Sequence, residues 1–171
     1  MRKLDSLRAW LAGAIPDLKA DTSRLQVFLD KGSIRSTGVR AASGAYGFEK
    51  AFTATLILTD FAGDDDAVFF ALVAWAQANQ PNLLENYDKN RPGSFTFEAD
   101  ILSADKVDLQ IQLELTENVV ATPRQGDGFN LAFPPEPAHV ADEAWADGPA
   151  NPPLIGSIWA RGELIAEIPE A

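Results

Sequence analysis

The sequence predicts an α+β fold: a mostly antiparallel sheet packed by two helices, with a proline-rich C-terminal arm ending in a short hairpin. Three observations carry this. Apolar and polar residues alternate through GFEKAFTATLILTDF and again through FTFEADI and VDLQIQLEL, the period-two pattern of half-buried strands. Apolar residues recur at helical spacing twice, near the N-terminus and directly after LILTDF. Beyond Val120 the periodicity ends and most of the prolines gather.

In chain order, Leu4, Leu7, Leu11 and Ala14/Ile15 form one helical stripe starting at Asp5 or Ser6, and Pro16 closes it because a residue before proline avoids the α region. LQVFLD reads as a strand with Leu25, Val27 and Leu29 on one face. KGSIRSTGVRAASGAYG, rich in glycine and serine and without apolar period, reads as a mobile loop. Phe52, Ala54, Leu56 and Leu58 then define the core face of a long strand. A second helix follows, with Val68, Phe69, Leu72, Val73 and Ala76 on its buried side and an end near Asn79-Gln80-Pro81.

The clearest pattern is the next pair of strands. Phe95, Phe97, Ala99 and Ile101 must share the core face with Val107, Leu109, Ile111, Leu113 and Leu115, because a slip of one residue would set every core residue against a polar one. An odd-numbered loop around Ser103-Ala104-Asp105 satisfies this and places Asp100 roughly opposite Asp108 on the solvent face. At the C-terminus, Arg161-Gly162 can close a hairpin pairing Ile158 with Ile165 and Trp159 with Leu164. The expected organisation is a body over residues 1–120, an arm over 121–154 and a hairpin segment over 155–171 that docks on its own or a neighbouring subunit.

Composition narrows the function. A formal net charge of -11 argues against binding a phosphate backbone, which needs Lys and Arg to neutralise it. The absence of cysteine removes disulfides, zinc-thiolate sites and cysteine nucleophiles, and fits a reducing compartment. Asp5 and Arg8 interrupt any signal-peptide core, and the longest apolar run, Ala67 to Ala76, is about half of the ~20 residues that cross a bilayer, so a soluble protein is expected.

Candidate chemistry begins at LILTDFAGDDDAVF. Asp60 with Asp64, Asp65 and Asp66 could gather carboxylate oxygens for a divalent metal, making the chain a metal-dependent hydrolase. The EF-hand pattern is not matched, however, and the apolar period that follows independently predicts a helix start. Asp64 is therefore expected as the helix cap, with Asp65 and Asp66 against the positive end of the macrodipole and Gly63 as the permissive turn residue. His139, the single histidine, has no Ser, Cys or second His placed for a triad or metal pair. Asp100 with Asp108, and Glu98 with Glu114, lie on a polar strand face with no cleft signal and suit solvent better than glycoside chemistry. The glycines of the 31–47 stretch match neither nucleotide-binding pattern, so neither a catalytic residue nor a cofactor is assigned. Trp145, a large aromatic in a polar arm, would dock in a groove on a partner or on its own body. A monomeric adaptor working through that arm is a further alternative.

The collinear order of Asp30-Lys31-Gly32-Ser33-Ile34 with Ser36-Thr37, Gly47-Phe48-Glu49-Lys50, Thr59-Asp60-Phe61 with Gly63-Asp64, Ala74-Trp75 and Asn79-Gln80-Pro81 resembles the tail completion protein R family of temperate contractile-tailed phages and prophages. Phe95-Thr96-Phe97, Ala99-Asp100-Ile101, Leu115-Thr116-Glu117 and Gly162-Glu163-Leu164 extend the match, which leaves out roughly Thr122 to Leu154. The resemblance implies an assembly protein without catalytic residues, needed at the head-proximal end of the tail so that it can join a filled capsid. By likeness to tail terminators it implies a ring, commonly sixfold. Its partners would be tail tube and sheath proteins and head-tail connector or completion proteins, with no membrane, and nucleic acid only as DNA passing through the lumen. It would act in the bacterial host cytoplasm during assembly and then in the virion tail. In such a ring the segment from Ile158 to Ile168, including Trp159, Leu164 and Ile165, is expected to lie on the next subunit's sheet edge. The basic residues Lys31, Arg35 and Arg40 are expected to face the lumen or tube.

Overall fold

The computed structural model describes residues 2–36, 38, 41–103, 106–135, 157–160 and 163–167, with the backbone alone at 102–103, 157–160, 163 and 165–167. The apolar stripe at the N-terminus forms α1 (Arg2–Ala14), which starts earlier than Asp5. Pro16 ends it and also opens α2 (Pro16–Ala20), since its fixed φ and missing N–H suit a first helical turn; only Ile15, in extended geometry, separates the two. A single 3-10 turn, Thr22–Arg24, leads into β1 (Leu25–Ser36). Then follow β2 (Tyr46–Phe61), α3 (Asp65–Asn79), α4 (Pro81–Glu85), β3 (Phe95–Ser103), β4 (Lys106–Pro123) and β5 (Phe129–Ala132). A separate hairpin pairs β6 (Ser157–Ala160) with β7 (Glu163–Glu167).

The main sheet runs β1-β2-β4-β3, antiparallel throughout, with β5 pairing the far end of β4. Its alternating residues Val27, Ala54, Leu56, Leu58, Leu109, Ile111 and Leu113 are buried on one face, together with Leu7 and Leu11 of α1 and Val68, Leu72 and Trp75 of α3. Full burial of each such large side chain stabilises by roughly 1.5–3 kcal/mol, so this layer dominates the fold. Indole hydrogen bonds tie the helices together: Trp75 Nε1 donates to Ser6 Oγ at 3.2 Å, and Trp10 Nε1 donates to the Ala71 carbonyl at 2.9 Å.

Asp100 does pair with Asp108, and Ile101 with Val107, leaving the odd-numbered gap that the alternation demands. A register shift between Ile101 and Ser103 then lets Ser103 pair with Lys106. Glu98 faces Gln110, not Glu114.

Four expectations fail for identifiable reasons. The stretch read as a loop from Lys31 is strand as far as Ser36, because a bulge between Leu29 and Gly32 carries β1 past the break in its apolar pattern. Phe97 and Ile101 lie on the helix-bearing face but are 57% and 83% exposed, since the helices cover the outermost strand only in part, at Phe95 and one side of Phe97. Val73 is likewise 40% exposed. Finally, the sheet continues beyond Val120: β4 reaches Pro123 and Pro123 pairs with Phe129, so part of the segment read as an arm is sheet.

Candidate functional site

The acidic junction after β2 is built by a change of register. Strict alternation beyond Leu58 would drive Asp60 into the core. A bulge between Leu58 and Phe61 prevents this: Asp60 adopts φ 52° and stays exposed, and Phe61 turns inward to 2% exposure. The Asp60 N–H donates to Asp108 Oδ1 at 2.8 Å, and Lys106 Nζ lies 3.4 Å from Asp60 Oδ1. Asp64, in extended geometry, is the N-cap of α3, with Oδ1 accepting the Asp66 N–H at 2.9 Å. Asp65 and Asp66 occupy the exposed first turn. Gly63 does not have the positive φ of a permissive turn. It is small because a Cβ there would stand 2.7 Å from the Phe61 ring. Among the described residues no three His, Asp or Glu side chains converge as a metal ion would require. The four aspartates therefore divide into a capped helix start and a strand-end bulge.

A second polar site carried no sequence signal. β4 is flanked by β3 as far as Leu113 and by β5 from Val120, which leaves the backbone between them without a strand partner on that side. The start of α4 fills the gap. Gln80, only 1% exposed, accepts the Thr116 N–H at Oε1 (3.0 Å) and donates from Nε2 to Thr116 Oγ1 (3.0 Å). Lys3 Nζ donates to the same Gln80 Oε1 at 2.7 Å. Next along β4, Glu117 is 3% exposed, accepts the Lys3 backbone N–H and pairs with Lys50. Burial alone would raise the Glu117 carboxyl, but the Lys50 ammonium and the Lys3 N–H outweigh it and hold it below the ordinary glutamate range. The Gln80 amide thus stands in for a strand partner at Thr116, and Glu117 ties β4 to α1 and to Lys50.

Among the described residues no further strand pairs the remaining two edges, although Arg8 of α1 donates to the Val27 carbonyl of β1 at 3.0 Å. β1 and β3 are the outer strands of the sheet, and both display large apolar side chains: Phe28, Leu29 and Ile34 on β1, Phe97 and Ile101 on β3. Beside β3, the Phe97 ring meets Phe69 of α3 at a centroid distance of 4.6 Å, and Phe70 of that helix is 42% exposed. Lys31 and Arg35 lie exposed on β1, in the strand and not in a loop. In the C-terminal hairpin Trp159 pairs with Leu164, but Ile158 pairs with Ala166 in place of Ile165, owing to a register shift between Ile158 and Trp159. The Leu164 side chain, 43% exposed, borders a shallow hollow formed by Gly13, Ala14 and Pro16 at the α1–α2 corner and by Lys19 and Ala20 of α2. Arg40, His139 and Trp145 lie outside the described residues.

With this geometry in hand, comparison with known proteins is specific. The sequence profile of the P2 phage tail completion protein R (GpR) family matches residues 1–137. Tail completion protein R of Escherichia phage P2 is 34% identical over 169 residues, covering 98% of this chain and 98% of the relative. That alignment runs through the proline-rich segment, so the match extends across the region that the sequence resemblance left out. No solved structure matches.

Proposed function

The chain belongs to the P2 phage tail completion protein R family, and on that footing we propose that it completes a phage tail at the head-proximal end, so that the tail can join a filled capsid, through protein contacts and not catalysis. The observation that supports this most is collinear similarity over nearly the full length of both chains. The two open sheet edges suit the same role, because exposed apolar strands serve contacts with other subunits better than they serve a solvated monomer.

In finer detail, copies form a closed ring, sixfold on the pattern of tail terminators, with tube and sheath proteins on one side and head-tail connector or completion proteins on the other. DNA passes through the lumen. The ring assembles in the host cytoplasm and remains in the virion tail. Lys31, Arg35, Arg40, Trp145, Ile158, Trp159, Leu164 and Ile165 are its subunit or tail contacts, the last four by docking of the C-terminal hairpin.

Disrupting the gene in the phage or prophage that encodes this chain tests the role. Electron micrographs of the lysate should show filled heads and separate tails; normal yields of joined virions would overturn it. Truncation before Asn151 tests the hairpin: the oligomer should fall apart by mass measurement in solution, and an unchanged mass would remove the hairpin from the subunit contact.

A further inference from the structure

We propose that the ring interface is a sheet-to-sheet junction in which β3 of one copy pairs antiparallel with β1 of the next. It rests on the ring proposed above and specifies which surfaces close it.

Strand direction is the first observation. Four strands in the order β1-β2-β4-β3, each antiparallel to its neighbour, leave the two outer strands running in opposite directions. When copies are related by rotation around a ring, the same two different surfaces meet at every contact. The β3 edge of one copy then faces the β1 edge of the next with opposite polarity, and the antiparallel ladder continues across the boundary.

The side chains agree on both faces. Register places Leu29 and Ile34 of β1 on the helix-bearing face, as are Phe97 and Ile101 of β3. Setting Leu29 opposite Ile101 brings Gly32 opposite Ala99 and Ile34 opposite Phe97 once the β1 bulge is included. Exposed apolar groups on both edges thereby cover each other. Arg35 is on the other face of the sheet, the face that also carries Glu98 and Asp100 of β3.

Charge gives the occupant. The span Leu25–Ser36 carries Lys31 and Arg35 against Asp30, a positive balance, whereas Phe95–Ser103 carries Glu98 and Asp100 and no cation. In a chain of net charge -11, one open edge is basic and the opposite edge acidic. Like edges of two copies repel and unlike edges attract, so a second copy arriving head to tail is the matching partner.

The chain has no cysteine, which permits a direct test. Cross-strand neighbours have Cα atoms about 4.5–5.5 Å apart, within reach of a disulfide. The double variant Ile34→Cys/Phe97→Cys should give, on mild oxidation, a covalent ladder up to the ring mass, with neither single variant doing so. In parallel, Lys31→Glu/Arg35→Glu and Glu98→Lys/Asp100→Lys should each reduce the oligomer seen by native mass spectrometry, and combining them in one chain should restore it. An intact wild-type oligomer with no ladder and no response to charge reversal overturns this interface while leaving the ring standing. A wild-type chain that stays monomeric overturns both, and neither result bears on whether loss of the gene blocks head-tail joining.

Discussion

β4 between Glu114 and Val119 and β3 between Phe95 and Ile101 both have a side that no further strand covers among the described residues, yet they are finished in different ways. On β4 the polar groups are closed internally: the Gln80 amide bonds both the N–H and the hydroxyl of Thr116, and Glu117 gathers Lys3 and Lys50. On β3 the apolar face is covered at Phe95 but left increasingly open toward Ile101, which is 83% exposed. The difference follows from position. The β4 gap lies against the N-terminal helix, where an unpaired backbone donor is expensive, while the β3 edge faces outward, where water or a partner strand can take it. Among the described residues the protein thus carries one edge closed by its own side chains and two outer strands, β1 and β3, that no further strand pairs.

Removing the seal should have the largest effect. Lys50→Met leaves the Glu117 carboxylate buried without its main counterion and is expected to cost about 3 kcal/mol, read from urea denaturation. A loss below about 0.5 kcal/mol would mean that the pair is solvated in practice, and the contrast between the edges would weaken. Acid should produce the same loss gradually. Because the folded carboxyl of Glu117 lies below its ordinary value of 4.5, its contribution is fully present above that pH and is lost as pH falls through the lower, folded value. Glu117→Gln should flatten the stability profile in that window, and an unchanged profile would assign the acid response to other carboxylates.

A middle-sized effect belongs to the junction after β2. Asp64→Ala removes the acceptor of the Asp66 N–H and should cost about 1 kcal/mol in thermal or chemical melts. It should leave the oligomer intact, because Asp64 works within its own chain. Loss of assembly without loss of stability would move this residue from the fold to an interface.

How far these features were legible in sequence depends on their range. The Asp100–Asp108 pairing follows from alternation, which excludes every register one residue out, together with the turn signal around Ser103, which selects among those that remain. The Asp64 cap follows from its place one turn ahead of the apolar helical period that begins at Ala67 and Val68. Alternation shows which face Phe97 and Ile101 take, but not whether a helix extends far enough to cover that face. The continuation of β1 through Lys31–Ser36 was hidden by its bulge and by Gly32, whose Cβ would stand 2.7 Å from the Ala51 carbonyl oxygen. The Gln80 bridge spans 36 residues and obeys no local period, so nothing near Gln80 or Thr116 announces it. The C-terminal hairpin was legible at Trp159–Leu164 and missed at Ile158, because a single-residue shift in a short ladder leaves no compositional trace.

The smallest expected effect on stability is the most informative about the open edges. Ile34→Ser and Ile101→Ser alter side chains that are 74% and 83% exposed, so each should change the stability of the dissociated chain by less than about 0.5 kcal/mol. Measured where the protein is assembled, the same variants should lose the extra stability that binding confers, because a partner that binds only the folded chain raises its apparent stability with concentration. The comparison must therefore be made at two protein concentrations. If the variants match wild type when dilute and fall behind when concentrated, these residues serve association and not the core. If they are equally destabilised at both, Ile34 and Ile101 support their own subunit, and β1 and β3 are finished internally as β4 is. Equal stability at both concentrations would leave the two edges solvated, with assembly carried by other surfaces.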